Sequence, residues 1–232
     1  MRQNMYEVEK NIEKLFRGEA TGFLTSSVRR LVERRLKGFD YEIYVPFPEA
    51  DKVILYSVHK PKVHLFCICC YKEQELKHST IMGSLFGINI TGEMFGDIVR
   101  YQNNFYVYLL DSICELVKKE FRTAGNVSVK LEEVPIDFLE KFEREYESKE
   151  IIVSSLRIDT VVSRLIGSNR DNIFDKVRDK EIYINDMLVK KANGLLEVGD
   201  VFSIRRFGKF RFKGIIGKTK KDNFIIVVDK FI

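Results

Sequence analysis

The chain has 232 residues, 45% hydrophobic and 31% charged, with 18 Phe, 10 Tyr and no Trp, which excludes a collagenous, low-complexity or globally disordered polymer. No run approaches the roughly 18–20 uncharged apolar residues that span a bilayer, and MRQNMYEVEK carries no apolar segment behind a basic cluster, so the expectation is a cytoplasmic protein with no membrane partner. The net charge of +5 is unevenly spread: residues 153–232 hold 17 Lys+Arg against 10 Asp+Glu, a net of +7, and residues 1–152 hold 22 against 24, a net of −2.

Such a basic module on a near-neutral body suits a polyanion partner, because neutralised phosphates release counterions. An ordinary solvated basic surface is the alternative. Along the chain, Met5, Val8, Ile12, Leu15 and Phe16 recur at helical spacing, and Gly18 ends that helix. Thr25, Ser26 or Ser27 caps a second helix with Val28, Leu31, Val32 and Leu36 as its buried stripe and Gly38 as its stop. Its outer face carries Arg30, Arg34 and Lys37, read either as a solvated face or as a secondary polyanion patch. Residues 1–38 thus form an N-terminal helical segment.

From residue 39 to 134 the pattern turns to strands. YEIYVPF and VILYSV suit a hairpin, and VHLFCICCY, a helix from near Ser79 to Gly87, FGDIV, FYVYLL, a helix from Asp111 to about Arg122, and VSVKL follow. The order strand, helix, strand, strand, helix, strand is that of ferredoxin-like and RRM-like domains. Tyr106 and Tyr108 would share one face, but the basic-Gly-aromatic pattern of RNA-binding versions is missing. Direct RNA contact and a protein-docking role both stay open for this domain. Residues 135–152 read as an acidic connector, partly helical through Phe138, Phe142 and Tyr146.

The last module, 153–232, begins with a helix capped by Ser154 or Ser155, burying Leu156, Val161, Val162 and Leu165 and ending at Gly167. A second helix opens at Ser168 with Asp171 three residues on and buries Ile173, Phe174 and Val177. Strands EIYIN, VFSIRRF and FIIVVDKF follow, with turns at Asn185-Asp186 and Gly199-Asp200. The fold class expected is α+β.

Catalytic signals are sparse. Cys67 and Cys70 match C-x-x-C, but a three-residue offset in a strand puts them on opposite faces and no second pair follows. With Cys69 and Cys114 they read as reduced, mostly buried thiols. His59, His64 and His78 share no metal-ligand spacing, and no nucleophile elbow, P-loop or dinucleotide fingerprint occurs. No metal, cofactor, small-molecule substrate or enzymatic activity is expected.

The positive signal is basic. Arg157, Arg164 and Arg170 lie along the paired helices, Lys176 follows on the second, and Ser168 and Asn169 stand at its N-terminus, where free N–H groups favour phosphate. RRFGKFRFK, residues 205–213, has five basic residues, three Phe and no acid. As one strand it would line up Arg205, Phe207, Lys209, Arg211 and Lys213 against Arg206, Gly208, Phe210 and Phe212, and interleaved cations and rings suit backbone contact plus base stacking.

The run from Ser154 to Phe210 resembles the S-four RNA-binding domain: Arg157-x-Asp159, Arg170 at the second helix start, a hydrophobic strand ending in Asn185, Gly199-Asp200, and the basic Arg205 to Phe210 finish. Upstream, HSTIMGSLFGINITGEMFGDIV, NVSVKLEEVP and VSSLRIDTVVS resemble the YlmH family of bacterial proteins, which joins an RNA-binding domain to a C-terminal S-four domain. The resemblance implies a monomer that binds structured RNA, with rRNA of the large ribosomal subunit and tRNA as targets, in translation or ribosome rescue and quality control. It adds Asp159, Asn185, Lys190 and Lys191 to Arg157, Arg164, Ser168, Asn169, Arg170, Lys176, Arg205, Arg206, Lys209 and Arg211 as the RNA-binding set. This chain departs from the family at Asn169, Asn172, Lys180 and Asp186; Asn169 can still cap a helix, and Asn172 removes one possible phosphate contact. A protein-interaction adaptor, or an accessory factor of RNA modification, is the alternative.

Overall fold

The computed structural model describes residues 2–70, 76–179, 181–185 and 187–231, the side chains of 2–4 and 170 excepted. The molecule is mixed α/β, with six described helices and antiparallel sheets, and divides into two compact units, Met1–Glu143 and Arg144–Ile232. No described helix is long and apolar enough to cross a membrane.

The first unit begins with α1 (Arg2–Phe16) and α2 (Ser26–Arg35), which pack through Val8, Leu15, Val28, Val32 and Leu36 against a two-stranded hairpin, β1 (Glu42–Tyr44) and β2 (Ile54–Tyr56). Met5 and Phe16, expected on the buried stripe, are exposed: Phe16 lies at the helix end, edge-on to Phe39 with centroids 5.0 Å apart. Gly22 shows why this segment sits tightly. Its N–H donates to the buried Asn11 amide, and a Cβ there would lie 2.6 Å from the Glu93 carbonyl oxygen.

The remaining elements are β3 (Val63–Cys70), α3 (His78–Gly87), β4 (Phe95–Tyr101), β5 (Asn104–Leu110), α4 (Asp111–Glu120), β6 (Thr123–Ala124) and β7 (Val127–Val134). The helix expected from Ser79 starts one residue earlier, after Lys77, and the short β6 was not expected. The sheet runs β4-β5-β3-β7-β6. Alternation along β3 and β5 sends Phe66, Ile68, Val107 and Leu109 to one face, beneath Ile81, Leu85, Ile113 and Val117 of α3 and α4. The opposite residues, Leu65, Cys67, Tyr106 and Tyr108, meet a second core that includes Phe23, Phe47, Ile54, Leu139 and Phe142. Each such side chain contributes about 1.5–3 kcal/mol by leaving water.

The second unit opens with β8 (Tyr146–Val153) and continues with α5 (Ile158–Ile166), α6 (Arg170–Arg178), β9 (Ile182–Ile184), β10 (Met187–Leu188), β11 (Val201–Ile204), β12 (Gly208–Lys218) and β13 (Phe224–Phe231). They form a six-stranded sheet, β10-β9-β11-β12-β13-β8. The partly helical reading of the acidic stretch is corrected here. Residues 135–142 make turns that bury Leu139 and Phe142, and 146–153 pair with β13 from Tyr146↔Phe231 to Val153↔Phe224. The β-branched run Ile151-Ile152-Val153 outweighs the sparse helical spacing of the rings.

Four smaller corrections concern the helix pair and the basic run. Helix α5 starts after Arg157 rather than at Ser154 or Ser155. Asn169, not Ser168 with Asp171, caps α6: its side chain accepts from the Asn172 N–H at 2.9 Å. Phe174 is 49% exposed rather than inward. Residues 205–207 are a turn, with Arg206 at φ +70° and Gly208 at +115°, so the alternation starts only at β12. Lys180 and Asp186, and with Asp186 the expected Asn185-Asp186 turn, lie outside the described residues.

Candidate nucleic-acid interface

One face of the second unit's sheet is sealed by the helix pair: Val161, Val162 and Ile173 pack on Ile182, Phe202, Ile204, Phe210, Phe212, Ile226 and Val228. Gly167 ends α5 in the left-handed conformation, φ +66°, and turns the chain into α6. Arg164 projects from the last turn of α5, exposed and without an ion-pair partner among the described residues. Beside it a groove of about 420 Å³ is lined by Ser154, Thr160, Ser163, Arg164, Gly167 and Ser168, together with Ile152 and Val153. The Ser168 hydroxyl accepts from the Asn172 amide at 3.1 Å. Of Arg170 the structure gives the backbone place alone, the first residue of α6.

Arg157 and Asp159 serve the scaffold. The guanidinium donates to both carboxylate oxygens, Nε to Oδ1 at 3.1 Å and Nη2 to Oδ2 at 2.8 Å, and Asp159 is fully buried. The same stretch binds the following loop through its backbone: Ile158 N–H donates to Gly194 O and Asp159 N–H to Ala192 O, both at 2.9 Å, and Leu196 N–H returns to Leu156 O. Lys190 and Lys191 ride on this loop, exposed and unpaired among the described residues. Asn185 is a turn residue as well. At φ +47° its amide donates to Asp200 at 2.7 Å and accepts from the Val201 N–H at 3.0 Å, while Asp200 accepts from the Glu197 N–H at 2.8 Å.

A second basic group forms where α6 meets the turn before β12. Lys176 donates to Glu181 at 2.9 Å and stands 5.5 Å from the Phe207 ring centroid. That bond, with the Lys176, Arg206 and Arg205 charges, holds the Glu181 carboxyl below its ordinary range. Arg205 and Arg206 are exposed and pair with no carboxylate among the described residues.

Lys209 and Arg211 point the other way, off the face opposite the helices, while Phe210 and Phe212 between them are buried. There the sequence reading missed three partners. The Tyr146 and Phe231 rings meet edge to face at 5.2 Å, and Arg144, Lys209 and Arg211 stand over Phe231 at 5.2, 5.1 and 5.4 Å. The alternation of β8 was the available signal, hidden by its acidic setting. The candidate set is therefore spread over a helix-side surface, two basic loops and the sheet's second face.

In the first unit, Arg30, Arg34 and Lys37 are exposed on and just after α2 with no ion-pair partner among the described residues, whereas Arg29 pairs with Glu33 at 2.8 Å and Arg35 with Glu9 at 3.5 Å. Tyr106 and Tyr108 do not present an open face. Phe138 stacks on Tyr106 with centroids 5.1 Å apart, Phe47 stacks on Tyr108 at 5.9 Å, and the Tyr108 hydroxyl lies 3.2 Å from the Pro46 carbonyl oxygen. At the start of the central strand β3 His64 is clamped: Glu133 at 2.6 Å and Asp111 at 2.8 Å face its two ring nitrogens, and chiefly the Glu133 bond, then the Asp111 bond, raise its pKa above the usual imidazole value. Among the described residues no His, Cys, Asp and Glu grouping could hold a metal ion.

Residues 62–138, the sheet of the first unit with α3 and α4, match the protein-family profile described as "Putative RNA-binding domain in YlmH". Ribosome-associated protein quality control protein P2 of Bacillus subtilis (strain 168) is 28% identical over 153 residues, which are 66% of this chain and 60% of that protein. The chain thus matches less than two thirds of that relative's length. The solved structure of cell division protein ylmH from Streptococcus pneumoniae aligns with a TM-score of 0.45 at 20% identity, over 58% of this chain and 90% of that one.

Proposed function

Residues 62–138 form a YlmH-type domain, and from that premise we propose that this chain is a non-enzymatic RNA-binding protein that works on the ribosome. Its second unit is read as an S-four-type domain and the sheet of its first unit as ferredoxin-like. One observation carries the reading. The second unit presents Arg164, Lys190, Lys191, Arg205 and Arg206 exposed, without carboxylate partners among the described residues, on turns and helix ends fixed by backbone hydrogen bonds. Preorganised cations on a rigid scaffold suit folded RNA, whose backbone geometry rather than base edges they would read. The B. subtilis relative, named for ribosome-associated quality control, supports the ribosome as the target and the cytoplasm as the setting; the large subunit and its tRNA as the particular partners are what the resemblance to the family implies. A monomer suffices for this role.

The test is binding of the full chain to a labelled rRNA hairpin across a salt series. A slope of roughly 0.9 counterions per neutralised phosphate is expected, becoming shallower in Arg205→Gln/Arg206→Gln. A flat salt response overturns the reading. A second reading, a protein-docking role for the first unit, draws on the groove of about 600 Å³ lined by Tyr44, Pro46, Pro48, Pro61 and Ile136. Capture of a protein partner that survives nuclease treatment would favour it.

A further inference from the structure

We propose that the open face of the second unit's sheet is a separate landing site for an unpaired nucleotide, with Tyr146 and Phe231 as the stacking platform and Arg144, Lys209 and Arg211 on the adjoining phosphates. This rests on the reading of the unit as RNA-binding and narrows that reading to single-stranded segments at one face.

Strand register puts these side chains together. Tyr146 pairs with Phe231 and Asp229 with both Ser148 and Arg211, and cross-strand partners project from the same side of a sheet. Lys209 follows two residues from Arg211 on that side. The result is a compact patch: three cations stand 5.1–5.4 Å from the Phe231 centroid, and Arg211 is also 5.0 Å from that of Tyr146.

Charge argues for an anion there, because Arg211 stands over both rings and makes no ion pair among the described residues. Its cross-strand neighbour Asp229 is buried and already engaged by the Ser148 hydroxyl and by Lys213 at 3.7 Å. Shape argues for a base beside that anion. The rings are half-exposed, and a π-face together with a guanidinium plane stacks any base without reading its identity. A duplex keeps its bases stacked on one another and offers such a platform only its backbone.

Fluorescence anisotropy of the full chain with a labelled oligouridine and a labelled RNA hairpin tests this. Phe231→Leu and Tyr146→Leu should each weaken oligouridine binding about tenfold and the hairpin less than about twofold. Arg211→Gln should lower the oligouridine salt slope by about one counterion. Thermal unfolding identifies any variant that fails to fold, and Phe231→Leu and Arg211→Gln decide the matter if Tyr146→Leu does. Unchanged oligouridine affinity in both folded variants overturns the site while leaving hairpin binding by the unit intact. Equal competition by polyglutamate and by unlabelled oligouridine also overturns it, in favour of an acidic peptide. Absence of binding to either RNA overturns the parent reading itself.

Discussion

In the first unit the sheet residues Tyr106 and Tyr108 lie beneath Phe47, Phe138 and Phe142, while in the second unit Lys209 and Arg211 leave their strand on the face opposite that unit's described helices. Both strands alternate, and both place aromatic residues near a possible ligand surface. The difference lies in what the neighbouring chain supplies. Residues 135–142, with the segment around Phe47, bring a second hydrophobic layer to the first sheet, whereas among the described residues of the second unit the hydrophobic core lies on the helix side of the sheet. A sheet sealed on both faces is a core. Any RNA contact of the YlmH-type domain must therefore come from its edges, helices or loops, since a ring buried under other rings cannot stack a base.

This contrast can be broken by substitution. On the sealed sheet Phe142→Ala should cost about 3–5 kcal/mol in urea unfolding, as deletion of a buried ring does. A cost near zero would mean the face opens. In the second unit Asp159→Ala should cost about 3 kcal/mol, because it strands the Arg157 guanidinium at the helix start on which the loop that carries Lys190 and Lys191 is bonded. RNA binding should weaken with it, and retained affinity would separate the loop from the interface. Arg205→Gln/Arg206→Gln should leave the unfolding midpoint unchanged and lower the salt slope of RNA binding by about two counterions.

The smallest effect concerns the His64 clamp. Its raised pKa means the clamp contributes stability that is fully present below about pH 6.5 and is lost as pH rises through the folded value. Glu133, whose carboxyl is held low chiefly by the His64 bond, loses its share as pH falls through its own folded value. Because Asp111, Glu133 and Lys118 around His64 are all partly solvated, His64→Gln should cost at most about 1 kcal/mol near pH 6 and nothing near pH 9. A difference that grew with pH would contradict the assignment.

Most of the elements were legible because their periods are local. Strand alternation in VHLFCICC and FYVYLL, the stop at Gly167 and the turn at Gly199 each depend on a few residues. What escaped depends on distant partners. Tyr146–Val153 became a strand because β13, some 80 residues later, offered it an edge. Tyr106 looked available because its cover, Phe138, lay in a stretch with weak helical spacing. At the candidate interface the residue types were readable, but not their division of labour. Asn185 and Asp159 share hydrogen-bond chemistry with ligand contacts, and only their placement assigns them to turn and helix start. The basic run 205–213 looked continuous until Arg206 took a positive φ and split it between a loop and a sheet face.

The most direct test of the central claim is sedimentation of the full chain through sucrose gradients of cell lysate at low and high salt, with Arg205→Gln/Arg206→Gln alongside. The account predicts that the chain travels with large ribosomal subunits at low salt and is released by high salt or by the double substitution. A chain that stays at the top of the gradient at both salts, or one that travels with subunits equally well after the substitution and at high salt, would contradict it.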